Sequence, residues 1–243
     1  AYIVDRVPRC DTCGLCQEIC PTGAVNLAEP PSERDVHVGA IILAMGYEVS
    51  DATEHTELGY GRYPNVLHSM QYERLASRSG PTEGIVMRPS DDKPPQRIAW
   101  LQCVGSRDEK HPYCSSICCM YATKEAVMAK QRLPGVHCQI FQMDERAFSK
   151  EFYVYYERAK KQYGVEYTRC RVQQVLEDPQ THELILRYPD EAGQMIESRF
   201  DMVVLSLGAQ PPSGSRDLAD LLGIELNEYG FCATDKFTPL ATS

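Results

Sequence analysis

Cysteine is the residue type that stands out in this sequence of 243 residues, because it occurs 11 times and mostly in groups. Two groups hold eight of these residues: Cys10, Cys13, Cys16, Cys20 and Cys103, Cys114, Cys118, Cys119. A disulfide framework is typical of small secreted chains, whereas this chain is larger and opens without the apolar stretch of a signal peptide. The grouping therefore predicts metal or cluster binding in a reducing cytoplasm.

The first group has the spacing C-x-x-C-x-x-C-x-x-x-C-P, which ends at Pro21. Bacterial ferredoxins ligate [4Fe–4S] clusters with this spacing. Zinc is the alternative, since two C-x-x-C pairs can bind it tetrahedrally, but the continuous run followed by proline favours a cluster. In two-cluster ferredoxins the fourth cysteine of a run ligates the other cluster. Cys20 therefore either completes this cluster or serves a second one.

The second group lies between an apolar strand, predicted over residues 98–103, and a helix predicted over residues 120–132. In a dinucleotide-binding fold, the glycines of this turn seat a pyrophosphate on the helix N-terminus. Here four cysteines occupy the turn, and G-x-G-x-x-G occurs nowhere in the chain. The pattern predicts a metal cluster in place of a nucleotide. NAD(P) binding at this turn is correspondingly disfavoured.

Predicted strands and helices alternate around this turn, as they do in α/β proteins. The predicted strands are residues 136–142, 165–169, 171–176 and 202–208, with a helix over 150–163 and a hairpin formed by 183–188 and 194–199. Residues 96–211 are accordingly predicted as a Rossmann-like domain that carries a [4Fe–4S] cluster in place of NAD(P). Residues 1–28 are predicted as a separate ferredoxin-type [4Fe–4S] loop.

The remaining segments are residues 29–95 and 212–243. An apolar run over residues 36–47 predicts a buried strand that ends in a glycine turn. Short helices are predicted over residues 69–77, with Ser69 as N-cap, and over residues 217–222.

Charge and hydropathy limit the classes of partner. The net charge of −9 argues against a nucleic-acid surface, because phosphate binding needs clustered lysine and arginine. The longest apolar run, residues 38–45, is far shorter than the roughly 20 residues that span a bilayer. We therefore expect a cytoplasmic protein without a membrane span.

Several of these motifs together resemble the A-type subunit of heterodisulfide reductases. They are Cys-Val-Gly-Ser-Arg from Cys103, Cys-x-x-x-Cys-Cys from Cys114, Ala-Met-Gly-Tyr at residues 44–47 and Leu-Ser-Leu-Gly at residues 205–208, after the ferredoxin run. The resemblance implies a partial thioredoxin-reductase-like flavoprotein core with two dinucleotide-binding domains, FAD and two [4Fe–4S] clusters. It implies that the second cysteine group holds one cluster, and that residues 29–95 and 212–243 are part of an FAD domain and its return segment. It also implies that FAD is contacted by these residues: Ala44, Gly46, Tyr47, Gly208, Pro239 and Thr242.

The same resemblance implies an oxidoreductase subunit that transfers electrons and has no catalytic residue of its own. It would relay or split electrons between a hydrogenase- or formate dehydrogenase-type donor, ferredoxin, and B- and C-like subunits that reduce a disulfide. A homodimer within a larger complex is one arrangement that it allows. A non-catalytic zinc- or cluster-binding scaffold is the alternative. An NADPH-dependent disulfide reductase is less favoured, because C-x-x-C occurs only inside the ferredoxin run.

Overall fold

The computed structural model describes residues 13–28, 30, 32–190, 192–235, 237–238 and 240. The chain divides after Ala44 into two compact units. In the first unit, one short helix is described, α1 (Leu15–Glu18), which lies between Cys13 and Cys20.

The second unit, Met45–Ser243, contains the regular structure of the α/β class. Its elements are β1 (Glu48–Val49), β2 (Val66–His68), α2 (Ser69–Ala76), β3 (Arg97–Val104), α3 (Cys118–Arg132), β4 (His137–Gln142), α4 (Phe152–Lys161), β5 (Glu166–Arg169), β6 (Gln174–Glu177), β7 (Leu184–Pro189), β8 (Met195–Phe200), β9 (Met202–Leu207), β10 (Ala209–Gln210) and α5 (Ser215–Leu222). No helix in the described parts of the chain is both long and apolar enough to cross a membrane.

A parallel sheet of five strands, in the order β2-β9-β3-β4-β5, forms the centre of this unit. Strands of a parallel sheet are covered on both faces and therefore read as continuous apolar runs. Strand β9 follows this rule, since all six of its residues are buried. Alternate residues of β3 serve the two faces: Ile98 and Trp100 pack in the core beneath the helices, and Ala99 and Leu101 pack in the core on the opposite side.

The second face of the parallel sheet is covered by an antiparallel sheet of three strands, β6-β7-β8. Strand β7 alternates as expected for one covered face, with Leu184, Leu186 and Tyr188 buried. The predicted hairpin is confirmed, because β7 pairs with β8 from Leu184–Phe200 to Pro189–Met195. A further antiparallel pair joins β1 to β10 at the end of the unit.

The strand predicted over residues 36–47 is wrong. The structure has no strand there, and the side chains of Val38 and Ile42 are 60% and 92% exposed. A strand requires a second backbone that pairs with its N–H and C=O groups. Within the described residues, pairing begins only at Glu48. Hydropathy alone predicted this strand, and hydropathy carries no information about whether a second strand is available to pair with it.

The division predicted between residues 95 and 96 does not coincide with a break in the fold. Strand β2, Val66–His68, is an edge strand of the central sheet and pairs in parallel with β9. Helix α2 follows it directly and buries Tyr72 against Trp100, with the ring centroids 5.6 Å apart. Residues 66–76 therefore fold together with the segment predicted as the Rossmann-like domain.

The turns that follow β3 and β9 lie in close backbone contact. The amide of Gly208 donates to the Val104 carbonyl at 2.7 Å, and the Ser50 hydroxyl donates to the carbonyls of Gly105 and Gly208. A methyl group on Gly208 would lie 2.4 Å from the Gly105 carbonyl oxygen. Gly105 itself has φ +69°, and a methyl group there would lie 2.5 Å from the Ser50 side chain. Both positions therefore require glycine.

We expect Gly208→Ala to lower the free energy of unfolding by about 2 kcal/mol or more, because the methyl group meets backbone that cannot rotate away. Thermal or denaturant unfolding measures this change. Gly39→Ala is the matched control, since a methyl group there meets no atom within 4 Å, and it should cost less than about 0.5 kcal/mol. Equal stability of the two variants would contradict the steric argument.

Candidate functional site

A β-bulge at the end of β3 sets the position of Cys103. Leu101 pairs with Leu205 and Val104 pairs with Leu207, so two residues of β3 lie opposite Ser206 alone. Cys103 has a φ of +61°, a backbone conformation that residues other than glycine rarely adopt. Gln102 compensates in part by donating from Nε2 to the Ser206 hydroxyl at 3.1 Å. Bulges of this kind redirect a side chain at the end of a strand, and here the redirected side chain is a predicted ligand.

The loop from Gly105 to the start of α3 is hydrogen-bonded to the backbone that follows β9. The Ser115 hydroxyl accepts from the Ala209 amide at 2.8 Å, and Tyr113 donates to the Ala209 carbonyl at 3.4 Å. Inside the loop, Arg107 N donates to the Tyr113 carbonyl at 3.1 Å. These bonds bring Cys114 back beside the end of β3, although ten residues separate it from Cys103.

Cys118 and Cys119 are the first two residues of α3. Burial raises the pKa of the Cys118 thiol to about 11 and that of Cys119 to about 12, and the thiols of Cys103 and Cys114 add to both shifts. All four predicted ligands of the second group therefore lie within electrostatic range of one another. Without a bound cation, the Cys118 and Cys119 thiols stay protonated at neutral pH.

A positive charge, the Arg107 guanidinium, lies beside the Cys103 thiol. The Arg107 guanidinium is held by two hydrogen bonds to the Asp144 carboxylate, which follows β4. Burial raises the pKa of Cys103, and Arg107 opposes that rise. Four soft sulfur donors beside a fixed cation fit the ligand set of an iron–sulfur cluster.

As placed, none of the His, Cys, Asp and Glu side chains in the described parts of the chain form a group of three or more that could hold a metal ion. The four thiolates of a [4Fe–4S] cluster bind four different iron atoms and so do not converge on one point. Convergence on one point is what tetrahedral zinc requires. The second cysteine group is brought together in the turn, and its role as a ligand set stays a prediction.

In the first unit, Cys13 and Cys16 are exposed and Cys20 is half-buried. The Cys20 sulfur lies 3.5 Å from the Thr22 hydroxyl, and this hydrogen bond, with backbone amides, lowers the pKa of the thiol to about 7. A lowered pKa favours the thiolate, which is the form that binds metal. Cys10 lies outside the described residues, as do Pro239 and Thr242 of the predicted FAD contacts.

The other predicted FAD contacts lie on both sides of the division between the units. Ala44 is exposed at the end of the first unit, and Gly46 and Tyr47 are exposed at the start of the second. Gly208 is buried against Gly105, so packing accounts for this glycine without a cofactor. The role of all four residues in FAD binding stays a prediction.

A buried carboxyl group below the cysteine turn was missed from the sequence. Glu125 of α3 is 1% exposed, and its Oε2 accepts from Trp100 Nε1 at 2.8 Å. Burial raises the pKa of Glu125 to about 8, although the Trp100 hydrogen bond lowers it. The signal was present: Glu125 shares the helix face of Ala122, Ala126 and Ala129, which are all buried.

Comparison with known proteins supports the resemblance seen in the motifs. No protein-family model matches the chain. Over 96% of its length it is 41% identical to the A-type subunit of the "H(2):CoB-CoM heterodisulfide,ferredoxin reductase" of Methanothermobacter thermautotrophicus, and it covers 36% of that protein. Over 95% of its length it is 44% identical to the A-type iron-sulfur subunit of the "CoB--CoM heterodisulfide reductase" of Methanocaldococcus jannaschii, of which it covers 35%.

The resemblance to the A-type subunit of heterodisulfide reductases is thus confirmed by sequence similarity across nearly all of this chain. The chain spans about a third of the length of these curated relatives. Among solved structures, it is similar to thioredoxin reductase of Lactococcus lactis, with a TM-score of 0.48 and 15% identity over 82% of this chain and 52% of that one. Thioredoxin reductase of T. acidophilum gives a TM-score of 0.46 and 14% identity over 79% of this chain and 50% of that one.

The raised pKa of Glu125 predicts a pH-dependent stability. Between pH 4.5 and 8 the unfolded chain loses this proton and the folded chain keeps it. The free energy of unfolding therefore falls as pH rises through that range. Glu125→Gln cannot ionise at this position. Between pH 5 and pH 8 we therefore expect its free energy of unfolding to rise by about 3 kcal/mol relative to that of the unsubstituted protein.

Denaturant unfolding at several pH values measures this difference. Glu73→Gln is the matched control, because Glu73 lies nearby on α2 but forms a partly exposed ion pair with Lys124 at 2.6 Å. This control should not reproduce the gain. A constant difference between Glu125→Gln and the unsubstituted protein at all pH values would refute the shifted pKa.

Proposed function

We propose that this chain is an electron-transferring segment of an iron–sulfur flavoprotein, an oxidoreductase subunit that acts in a heterodisulfide reductase-like complex in the cytoplasm. The observation that carries the proposal is the turn between β3 and α3. Three predicted ligands of that turn lie at its two ends, Cys103 on the bulge and Cys118 and Cys119 at the helix N-terminus. The hydrogen bonds of Tyr113 and Ser115 to Ala209 hold the loop so that the fourth predicted ligand, Cys114, lies near the other three.

Cys103, Cys114, Cys118 and Cys119 would hold one [4Fe–4S] cluster. A cluster of this type supplies one-electron transfer, at a potential set by net charge, hydrogen bonds and exposure. The chain contributes the surroundings: Cys103 and Cys118 are buried, which limits contact with water, and Arg107 places a positive charge beside Cys103. The ferredoxin run of Cys10, Cys13, Cys16 and Cys20 would hold a second [4Fe–4S] cluster.

FAD is proposed as a cofactor of the protein, with contacts at the Ala44–Tyr47 and Gly208 turns and at Pro239 and Thr242. The strand-to-helix turn that would bind NAD(P) is filled by cysteines. The electrons would therefore arrive one at a time through clusters and flavin, with no hydride donor bound at this turn.

The names of the relatives support part of the proposed set of partners, and the resemblance to the A-type subunits supplies the B- and C-like subunits. The relative from Methanothermobacter thermautotrophicus is named for H(2) and ferredoxin, and one from Methanococcus maripaludis is named for H(2) or formate. We therefore propose a hydrogenase- or formate dehydrogenase-type donor, ferredoxin, and B- and C-like subunits that reduce a disulfide. Splitting of electron pairs between ferredoxin and the disulfide is part of the same proposal, and so is a homodimer within the complex.

The alternative function is a scaffold that binds zinc and transfers no electrons. Iron and zinc analysis of the anaerobically purified protein separates the two. We expect iron from both sites, about four atoms at each, and visible absorbance that bleaches with dithionite. Stoichiometric zinc in a colourless protein would overturn the electron-transfer function.

Substitution of single cysteines tests the second ligand set. We expect Cys118→Ser to lose about four iron atoms, because a [4Fe–4S] cluster needs all four thiolates. Cys138→Ala is the matched control: Cys138 is equally buried but lies on β4, within the core beneath the helices. Its iron content should not change. Loss of iron from both variants, or from neither, would contradict the assignment.

A further inference from the structure

The Glu125 carboxyl group is only half satisfied by the protein around it. Its Oε2 accepts the Trp100 indole N–H at 2.8 Å, while Oε1 is buried and has no hydrogen-bond partner among the described residues. A buried polar atom without a partner is costly, and in a native protein it calls for an explanation such as strain, a bound water or ion, or a redox role.

A cavity of about 240 Å³ gives Glu125 a route to solvent. Its walls combine apolar side chains, among them Met70 and Leu207, with polar groups of His68, Ser69 and Glu73. Glu125 lies in the wall of this cavity, and Glu73, which is 34% exposed, marks its surface side. A proton can therefore reach the carboxyl group without passing through the packed core.

The same helix connects Glu125 to the cysteine turn. Cys118 and Glu125 are seven residues apart on α3, which is two helical turns and about 10 Å along the axis. Tyr121 lies between them and also lines the cavity, and its hydroxyl donates to the Leu207 carbonyl at 3.3 Å. Both the Cys118 thiol and Glu125 act electrostatically on Tyr121. The interior between them screens charge poorly, because it contains little water.

We propose that Glu125 is a proton-binding site whose protonation is coupled to the reduction of the cluster held by Cys103, Cys114, Cys118 and Cys119. The inference rests on the proposed function, since it requires that cluster. On reduction, a low-potential one-electron donor adds one electron to the cluster. The Glu125 carboxylate then takes one proton from solvent through the cavity and becomes the neutral acid, so that one negative charge is gained and one is removed.

The groups that face Glu125 set the pH range of this coupling. Burial favours the neutral acid, and the Glu73 carboxylate on α2 acts in the same direction. The Trp100 N–H on β3, Lys124 on α3 and Ser69 on α2 favour the carboxylate. His68 also lines the cavity, and burial lowers its pKa, so it is neutral in the alkaline range. Proton uptake on reduction is therefore expected above neutral pH, where the oxidised protein holds part of Glu125 as carboxylate.

The experiment is a redox titration of the cluster signal between pH 6 and pH 10, on the complete cluster-loaded protein with dithionite as reductant. Cys118→Ser identifies the signal by removing it. We expect the midpoint potential to become more negative with rising pH in the alkaline range. A tenfold change in proton concentration corresponds to as much as about 59 mV for one electron. Glu125→Gln should make the potential independent of pH, and Glu73→Gln should retain the dependence.

Reduction-minus-oxidation infrared spectra provide a readout that does not depend on the potential. Above neutral pH, reduction should produce the C=O band of a protonated carboxylic acid, which is absent from Glu125→Gln and present in Glu73→Gln. Trp100→Phe is the second variant. It removes the donor that stabilises the carboxylate. The pH range in which the midpoint potential falls, and the pH range in which the C=O band forms on reduction, should therefore both move to higher pH. If Glu125→Gln does not fold, the Trp100→Phe shift decides.

The outcomes are distinct. A potential that does not depend on pH in the unsubstituted protein overturns the coupling and leaves the electron-transfer function intact. A dependence that survives in Glu125→Gln assigns the proton to another group and also overturns it. Absence of iron at this site in the unsubstituted protein overturns the proposed function and this inference together.

Discussion

The contact between Gly105 and Gly208 is the constraint on which the candidate site depends. It joins the turn after β3 to the turn after β9, and Ser50 closes it with hydrogen bonds to both carbonyls. Because the two backbones meet without side chains between them, the loop that follows Gly105 runs along residues Leu207–Gln210. Ser115 and Tyr113 then reach Ala209, and Cys114 returns to Cys103. A larger residue at either glycine would push the two turns apart. The predicted cysteine ligands would then be separated, although none of them had been substituted.

The strand order explains why the site lies at this place in the sheet. From β3 the chain proceeds outwards to β4 and β5, and it later returns to the other side of β3 as β9. The turn after β3 therefore lies at the carboxyl end of the parallel strands, which is the edge where α/β proteins bind ligands. A nucleotide-binding protein uses backbone amides there. In this chain the corresponding turn carries the four predicted cysteine ligands instead.

Hydropathy and spacing predicted the elements that carry their own signal, but not those that depend on a distant partner. The motif spacing named the cysteines of the turn, and the periodicity of α3 placed its start two residues late, at residue 120 rather than Cys118. The bulge at Cys103 arises from the register between β3 and β9, which no local pattern encodes. The apolar run at residues 36–47 looked like a strand, yet in the described chain no second backbone pairs with it. Glu125 was missed because a charged residue in a helix is usually assigned to its solvent face.

Burial has different consequences for the cysteine thiols, which must lose a proton to bind metal, and for Glu125, which stays protonated. Low polarity around Cys118 and Cys119 opposes thiolate formation, so these residues need the charge of a bound cation. The same low polarity keeps Glu125 neutral near pH 7, and a neutral acid adds no negative charge to the thiolates on the helix above it. If Glu125 were ionised, it would oppose both cluster binding and reduction. A carboxyl group that is charged only at high pH avoids this conflict and, through the cavity, remains able to exchange its proton when the charge on the proposed cluster changes.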